Sequence, residues 1–168
     1  MTITDGRTGA IGMTFSRVPS STDLPSDLLQ SLKDAVFITD NSFDSKLVGL
    51  LTDAIFDFEK IAAYSIFPQE ITVNYEYFKG KNRLPFAPHT AVTPITDFTV
   101  TGASTKYLDG GTGDAVTVVF TAGNATIPEN IKRVLVKMAE AKFKNEVSAM
   151  DYPFSVYSQI RSFTNWID

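Results

Sequence analysis

Apolar side chains recur at steps of three and four residues through one long segment, and this pattern constrains the fold more than any other feature. The positions that follow it are Leu47, Val48, Leu50, Leu51, Ala54, Ile55, Phe58, Ile61 and Ala62. Such spacing predicts an amphipathic helix over residues 43–63, about 30 Å long at roughly 1.5 Å per residue. A helix of that length with one apolar face needs other elements to pack against, and the rest of the chain must supply them.

Two more segments predict helices with the same period. A short helix is expected over residues 25–36, because Pro25 suits a first helical turn and Leu28, Leu29 and Leu32 share one stripe. A second long helix is expected from Thr126 to about residue 148, since Thr126 and Glu129 have the spacing of a capping box. The basic residues of this last helix lie mainly off its apolar stripe, which is typical of a solvated face.

The period changes to two over Ile71–Tyr77, which predicts a strand with one polar face. A turn is expected at Lys79–Asn82, with residues 83–86 as candidates to pair back. The prolines of the next segment exclude a central strand there. Further strands are predicted over 95–100 and 115–120, with a mobile loop at 109–114. The predicted fold class is α+β: a small helical bundle, a small antiparallel sheet inserted between the two long helices, and extended terminal arms.

The two ends of the chain lack a clear period. Residues 1–22 predict a flexible or draped arm, residues 23–148 a single domain, and residues 149–168 an aromatic-rich tail. Aromatic rings outside a core bury their area elsewhere, either on a neighbouring subunit or by folding back on the chain's own helices. Neither alternative is excluded. The residues expected to bind a partner are Phe154, Tyr157, Ile160, Phe163 and Trp166.

Composition excludes several kinds of chemistry. The chain has no cysteine, so disulfides, thiolate catalysis and Cys-based zinc sites are ruled out. Its formal charge of −4 argues against avid, sequence-independent DNA binding. The sequence has no apolar run of the roughly 18 residues that cross a bilayer, and residues 1–21 lack the charged start and apolar centre of a signal peptide, so we expect no membrane partner. The protein is expected to stay in the cytoplasm unless a larger particle carries it out.

The search for a catalytic centre gives no candidate. His89 is the only histidine and lies among prolines, where a loop histidine satisfied by water or backbone is the simpler interpretation. The glycines of residues 110–114 lack the Lys-Ser/Thr pair of a phosphate loop. Asp40 and Asp44 flank the start of the long helix, and Asp53 with Asp57 is expected on its solvent side. We therefore predict no catalytic, cofactor or metal site, and no enzyme.

The order of segments is similar to that of a known family, and the most distinctive match joins the last strand to the following helix. The matching stretches are Leu28–Lys33 with Val36–Asp40, Leu50–Glu59, Leu84–Pro88 with Ile95, and Val118–Gly123 with Ile127–Lys132. Together these resemble the head–tail adaptor, or head-completion (connector), family of tailed bacteriophages. The resemblance covers residues 24–146, so the terminal arms have no counterpart in it.

The resemblance implies a mechanical function. Subunits of that family form a ring, typically a dodecamer, beneath the portal protein, where they extend the DNA channel and give the stopper or tail protein a docking surface. Double-stranded DNA would pass through without specific binding, which an acidic chain suits. The chain would be made in the host cytoplasm and reside in the neck of the virion. Two alternatives stay open: another neck or tail ring subunit such as a tail terminator, and a small ligand-binding or enzymatic domain using Tyr75 and Tyr77.

Overall fold

A computed structural model describes residues 10–19, 24–93, 95–144 and 152–165. Four helices and a five-stranded antiparallel sheet occur in these ranges, which confirms the predicted α+β class. In chain order the elements are β1 (Ala10–Pro19), α1 (Ser26–Ala35), α2 (Asp44–Ala62), β2 (Gln69–Arg83), β3 (His89–Val92), β4 (Phe98–Thr101), β5 (Tyr107–Ala122), α3 (Glu129–Phe143) and α4 (Phe154–Asn165).

The elements form two compact units, each built from two stretches of chain. The sheet unit takes the described residues of Met1–Ser20 and Pro68–Gly123, and the helical unit takes those of Ser21–Phe67 and Asn124–Asp168. Both predicted boundaries, 22/23 and 148/149, fall outside the described residues. That division of the chain therefore stays a prediction.

The sheet unit is organised around the long antiparallel pair β2 and β5. The strand order is β1-β2-β5-β3, and β4 pairs with another part of β5. Alternate residues of β2 face the core, with Ile71 opposite Phe120 and Val73 opposite Val118. This alternation was predicted from the period of two. The short strand β3 lies at the end of the strand order, as the prolines around it require.

Part of the predicted N-terminal arm is a strand. Residues 10–19 form β1, which pairs with β2 along its length, placing Met13 opposite Tyr75 and Thr14 opposite Asn74. The prediction of a draped arm is wrong for these residues. An edge strand is held mainly by backbone hydrogen bonds to its neighbour, so its sequence needs no alternation of apolar and polar residues.

The glycine-rich residues 110–114 form part of β5 rather than a mobile loop, and the expected turn at 79–82 is a continuation of β2. Gly80 pairs with Gly110, directly after register shifts between Phe78 and Lys79 and between Lys79 and Gly80. Gly111 has a φ of +78°, and a Cβ built there would lie 2.6 Å from the carbonyl oxygen of Phe78. Glycine is needed here because a bulged ladder brings two backbones into close contact.

The helical unit buries the apolar faces of its helices against one another. Its largest fully buried side chains include Leu28 and Leu32 of α1, Leu47, Leu51 and Phe58 of α2, and Ile131 of α3. α3 begins at Glu129 after Pro128, without a side-chain cap, so the capping box expected from Thr126 does not form. The proline fixes the first turn instead.

The C-terminal tail is helical where the structure describes it. α4 packs against α2 and α3, with Tyr152, Val156 and Ile160 buried in the core of the helical unit. The prediction of an extended C-terminal arm is therefore wrong for residues 154–165. These residues follow the alternative in which the tail folds back on its own helices, because steps of four residues place their apolar side chains on one face.

Candidate functional site

A buried carboxylate fastens the start of the tail to the helical unit. Asp57 of α2 is 6% exposed, and the hydroxyl of Tyr152 donates a hydrogen bond of 2.5 Å to its Oδ2. Lys142 of α3 places its Nζ 2.8 Å from the same oxygen. Burial is the main cause of a raised pKa of Tyr152, and the hydrogen bond to Asp57 is the second cause. The expectation that Asp57 lies on the solvent side is wrong, because the tail covers it; Asp53 is exposed as expected.

Aromatic packing fastens the other end of α4. Phe163 meets the ring of Phe58 edge-on, with centroids 5.4 Å apart, and the ring of Tyr64 at 6.5 Å. Ile160 is fully buried in the same core. Of the predicted partner-binding residues, Ile160 is thus part of the core and Phe163 is half-buried, while Trp166 lies outside the described residues.

The outer side of α4 carries the remaining predicted residues. Phe154 is 86% exposed, and Tyr157 is half-buried one helical turn later. The guanidinium of Arg161 lies 5.8 Å from the centre of the Tyr157 ring. Positions 154, 157 and 161 fall on one side of a helix, so these three side chains form a single surface. We call it the α4 stripe. The stripe therefore contains the exposed ring of Phe154 and the cation of Arg161.

A second exposed aromatic surface lies in the connection between α1 and α2, which we call the Phe37 loop (residues 36–43). Phe37 is 92% exposed and has a φ of +59°. The amide of Ile38 donates to the carbonyl of Lys33 at 3.0 Å, which is the Schellman ending of a helix. Glycine or asparagine usually occupies this left-handed position, and other residues pay roughly 1–2 kcal/mol there. Phe43, at 44% exposure, adds a second ring.

Hydrogen bonds, of which those of Lys33 are partly buried, hold the Phe37 loop in place. Lys33 is 6% exposed, and its Nζ donates to Oδ1 of Asn41 at 2.7 Å and to Oδ1 of Asp44 at 2.8 Å. Asp40 accepts the amide of Ser42 at 2.7 Å and also its hydroxyl. These Ser42 hydrogen bonds lower the pKa of Asp40. The loop is therefore a fixed platform, and sequence reasoning missed it because neither the exposure nor the φ of Phe37 can be read from the sequence.

His89 has a structural environment. It is 4% exposed, its Nδ1 accepts the amide of Lys106 at 3.1 Å, and its Nε2 donates to the carbonyl of Pro85 at 2.8 Å. Because Nδ1 accepts, the proton sits on Nε2 and the ring is neutral. Burial lowers the pKa of His89. The histidine begins β3 and is satisfied by backbone, which agrees with the expected structural role.

Tyr75 and Tyr77 have different environments. The register of β2 shifts between Tyr75 and Phe78, so Tyr75 and Phe78 are buried whereas Tyr77 is 37% exposed. Burial raises the pKa of Tyr75 to about 12. An open depression of about 270 Å³ over this part of the sheet has Asn74 and Thr117 in its lining. Thr117 donates to Asn74 at 2.7 Å, so these two groups satisfy each other.

Two further features of the described residues bear on function. No group of three or more His, Asp and Glu side chains there is close enough together to hold a metal ion. None of the helices in the same ranges is long and apolar enough to cross a membrane.

Comparisons with known proteins concern the fold. No protein-family model matches the sequence, and no curated protein matches it either. Among solved structures, a chain in the neck of an empty gene transfer agent (GTA) particle, computed with C6 symmetry, superposes with a TM-score of 0.67 over 89% of this chain and 94% of that chain, at 18% identity. This chain shares the fold of that neck component. A chain of a native GTA virion gives a TM-score of 0.63 over 88% and 94%, at 16% identity.

Proposed function

We propose that this chain is a structural subunit of the neck of a phage-like particle, and more specifically a head–tail connector (adaptor) that forms a ring under the portal. The observation that carries the proposal is the match of nearly the whole fold to a chain from a GTA neck. A likeness over 89% of this chain and 94% of the other leaves little of either fold unaccounted for.

The order of elements supports the adaptor assignment. The stretch that resembles the adaptor family most, Val118–Gly123 with Ile127–Lys132, contains the end of β5 and the start of α3. It is thus a join from the last strand to a helix, as in that family. The formal charge of −4 fits a channel through which DNA slides, since few phosphate contacts would hold it.

In this role the chain contacts copies of itself in a ring, typically a dodecamer, the portal protein on one side and a stopper or tail protein on the other. Double-stranded DNA passes through without specific binding. The exposed aromatic residues of the helical unit are suited to such contacts, because aromatic rings dominate the energetics of protein interfaces. The location is the virion neck, with synthesis in the host cytoplasm.

The test is assembly with the portal protein of the same particle. We expect the purified chain, mixed with portal, to give coaxial rings by electron microscopy and a matching mass by light scattering. A monomer without portal does not contradict the proposal, because the portal supplies the template. Failure of a folded chain to bind portal rings would refute the adaptor role. Binding to isolated tail tubes instead of portal would favour the tail terminator.

A further inference from the structure

Phe37 combines a strained backbone with an exposed side chain. Its backbone is in the left-handed region that favours glycine, with a φ of +59°, and its side chain is 92% exposed. No packing of the side chain compensates for that conformation. The left-handed backbone ends α1 through the hydrogen bond from Ile38 to Lys33, but that ending favours glycine and gives no reason for an exposed phenylalanine. A ring fixed in solvent by its own backbone is suited to insertion into another surface.

The Phe37 loop is also preorganised and acidic. Lys33 ties its far end to Asp44, and Ser42 fixes Asp40. Because the loop is already ordered, binding through it loses little conformational entropy. Asp34 and Asp40 are exposed beside the ring, so a complementary surface would combine an apolar contact with a positive charge.

The α4 stripe has these properties. Phe154 is 86% exposed, and Arg161 extends over the Tyr157 ring at the other end of the same side of the helix. The hydrogen bond from Tyr152, just before α4, to Asp57 and the packing of Phe163 on Phe58 hold α4 against α2, so the stripe too is fixed. An exposed aromatic ring with a neighbouring guanidinium complements an exposed phenylalanine with neighbouring carboxylates.

The two surfaces of one chain lie apart. The Phe37 loop is bound to the first residue of α2, Asp44, whereas α4 is bound to α2 at Asp57 and Phe58. That separation along α2 is roughly 20 Å at about 1.5 Å per residue. Two different, complementary surfaces on one chain generate a head-to-tail contact between copies, and such a contact closes into a ring when the rotation from one copy to the next divides a full turn.

We propose that the Phe37 loop of one subunit docks on the α4 stripe of the next subunit in the ring. This interface rests on the proposed function, because it supplies the contact between copies that a neck ring requires. Phe37 is the central anchor, packed against Phe154 and Tyr157 of the neighbour, and Asp34 or Asp40 pairs with the neighbour's Arg161.

Disulfide trapping between two single-cysteine variants tests the contact directly, because the natural chain contains no cysteine. The two single-cysteine variants keep Phe37 and Phe154: one protein carries Thr39→Cys, at an exposed position of the Phe37 loop, and the other Ser158→Cys, at an exposed position of α4. Both are mixed at high concentration under mild oxidation, with and without portal, and we expect the mixed dimer to exceed the two same-variant dimers. Thr39→Cys mixed with Thr126→Cys, at an exposed position on the same unit, is the matched control. A mixed product no greater than this control would overturn the interface.

Phe37→Gly relieves the backbone strain, so its effect on subunit association can be measured apart from its effect on folding stability. Phe37→Gly removes the anchor and suits the left-handed backbone, so the melting temperature should stay the same or rise while subunit association weakens about 30-fold. Asp34→Lys and Arg161→Glu should each weaken association, and the two variants mixed together should recover it. Unchanged association of Phe37→Gly would refute the proposal.

The two proposals fail in different ways. If Phe37→Gly forms rings on portal as readily as the natural chain does, this interface is overturned and the neck function stands. If the natural chain never binds portal although the two cysteine variants give the mixed disulfide, the interface is supported and the adaptor role is overturned.

Discussion

Tyr152→Phe tests whether the buried Asp57 carboxylate holds the tail in place. The substitution removes one hydroxyl and leaves the ring, so the packing beside Lys142 is kept. What is lost is a hydrogen bond of 2.5 Å to a carboxylate that is 6% exposed. Hydrogen bonds to charged groups contribute about 1.5–3 kcal/mol, and the remaining Lys142 contact keeps the loss near the middle of that range. We expect about 2 kcal/mol.

The assay is urea unfolding followed by circular dichroism at 222 nm, which reports mainly on the helical unit. A loss of about 2 kcal/mol corresponds to a fall in melting temperature of roughly 4–8 °C for a chain of this size. Tyr157→Phe is the matched control, because Tyr157 is half-buried on the outer side of the same helix, and should change stability by less than about 0.5 kcal/mol.

A double-mutant cycle shows whether the two groups act together. Asp57→Ala alone leaves Lys142, whose side chain is 15% exposed, without its partner, and should cost about 3 kcal/mol or more. If Tyr152 acts through Asp57, adding Tyr152→Phe to Asp57→Ala should cost little further. Additive losses, or a cost of Tyr152→Phe no larger than that of Tyr157→Phe, would refute the reasoning.

Three further predictions concern the glycines, the histidine and the buried tyrosines. In a urea titration, Gly111→Ala should lower the free energy of unfolding by more than about 1 kcal/mol, because Gly111 has a positive φ and lies close to a backbone carbonyl. Gly49→Ala, in open space on α2, should raise the free energy of unfolding by up to about 1 kcal/mol in the same titration. His89 has a lowered pKa in the folded chain, so its contribution to the free energy of unfolding should be complete above pH 6.5 and should decline as the pH falls below 6.5. His89→Phe should remove this pH dependence, and an unchanged dependence would contradict the assignment. Tyr75 and Tyr152 have raised pKa values, so their contribution to the free energy of unfolding should be complete below pH 10 and should decline as the pH rises above 10. Tyr75→Phe should reduce this decline between pH 10 and about 12. An identical pH profile would show that another group is responsible.

The helices could be predicted from the sequence because burial on one face imposes a period. Leu47, Leu51 and Phe58 recur at steps of four and seven residues, and the structure buries all three. The same signal was present in the tail, where Tyr152, Val156 and Ile160 are four residues apart, but the exposed aromatic residues between them suggested an extended segment. The period of the buried residues was the better guide there.

Other features depend on pairing that sequence patterns do not encode. β1 lacks alternation because β2 supplies its hydrogen bonds, and the glycines of β5 suggested a loop because a bulge and a turn use the same residue type. Of the candidate interaction surfaces, Phe154 and Tyr157 were predicted from composition. Phe37 was not, since an exposed phenylalanine is distinguished from a buried one only by the path of the backbone around it.

The placement of β1 before α1 and α2, with its partner β2 after them, makes the sheet unit discontinuous in the chain. A fragment cut from residue 68 to residue 123 would lack its first strand and leave the long β2 edge open to pairing with other copies. During synthesis, β1 must likewise wait until β2 has left the ribosome before it can pair. Expression of this unit alone would therefore require β1 to be joined directly to β2 by a short linker in place of the helices.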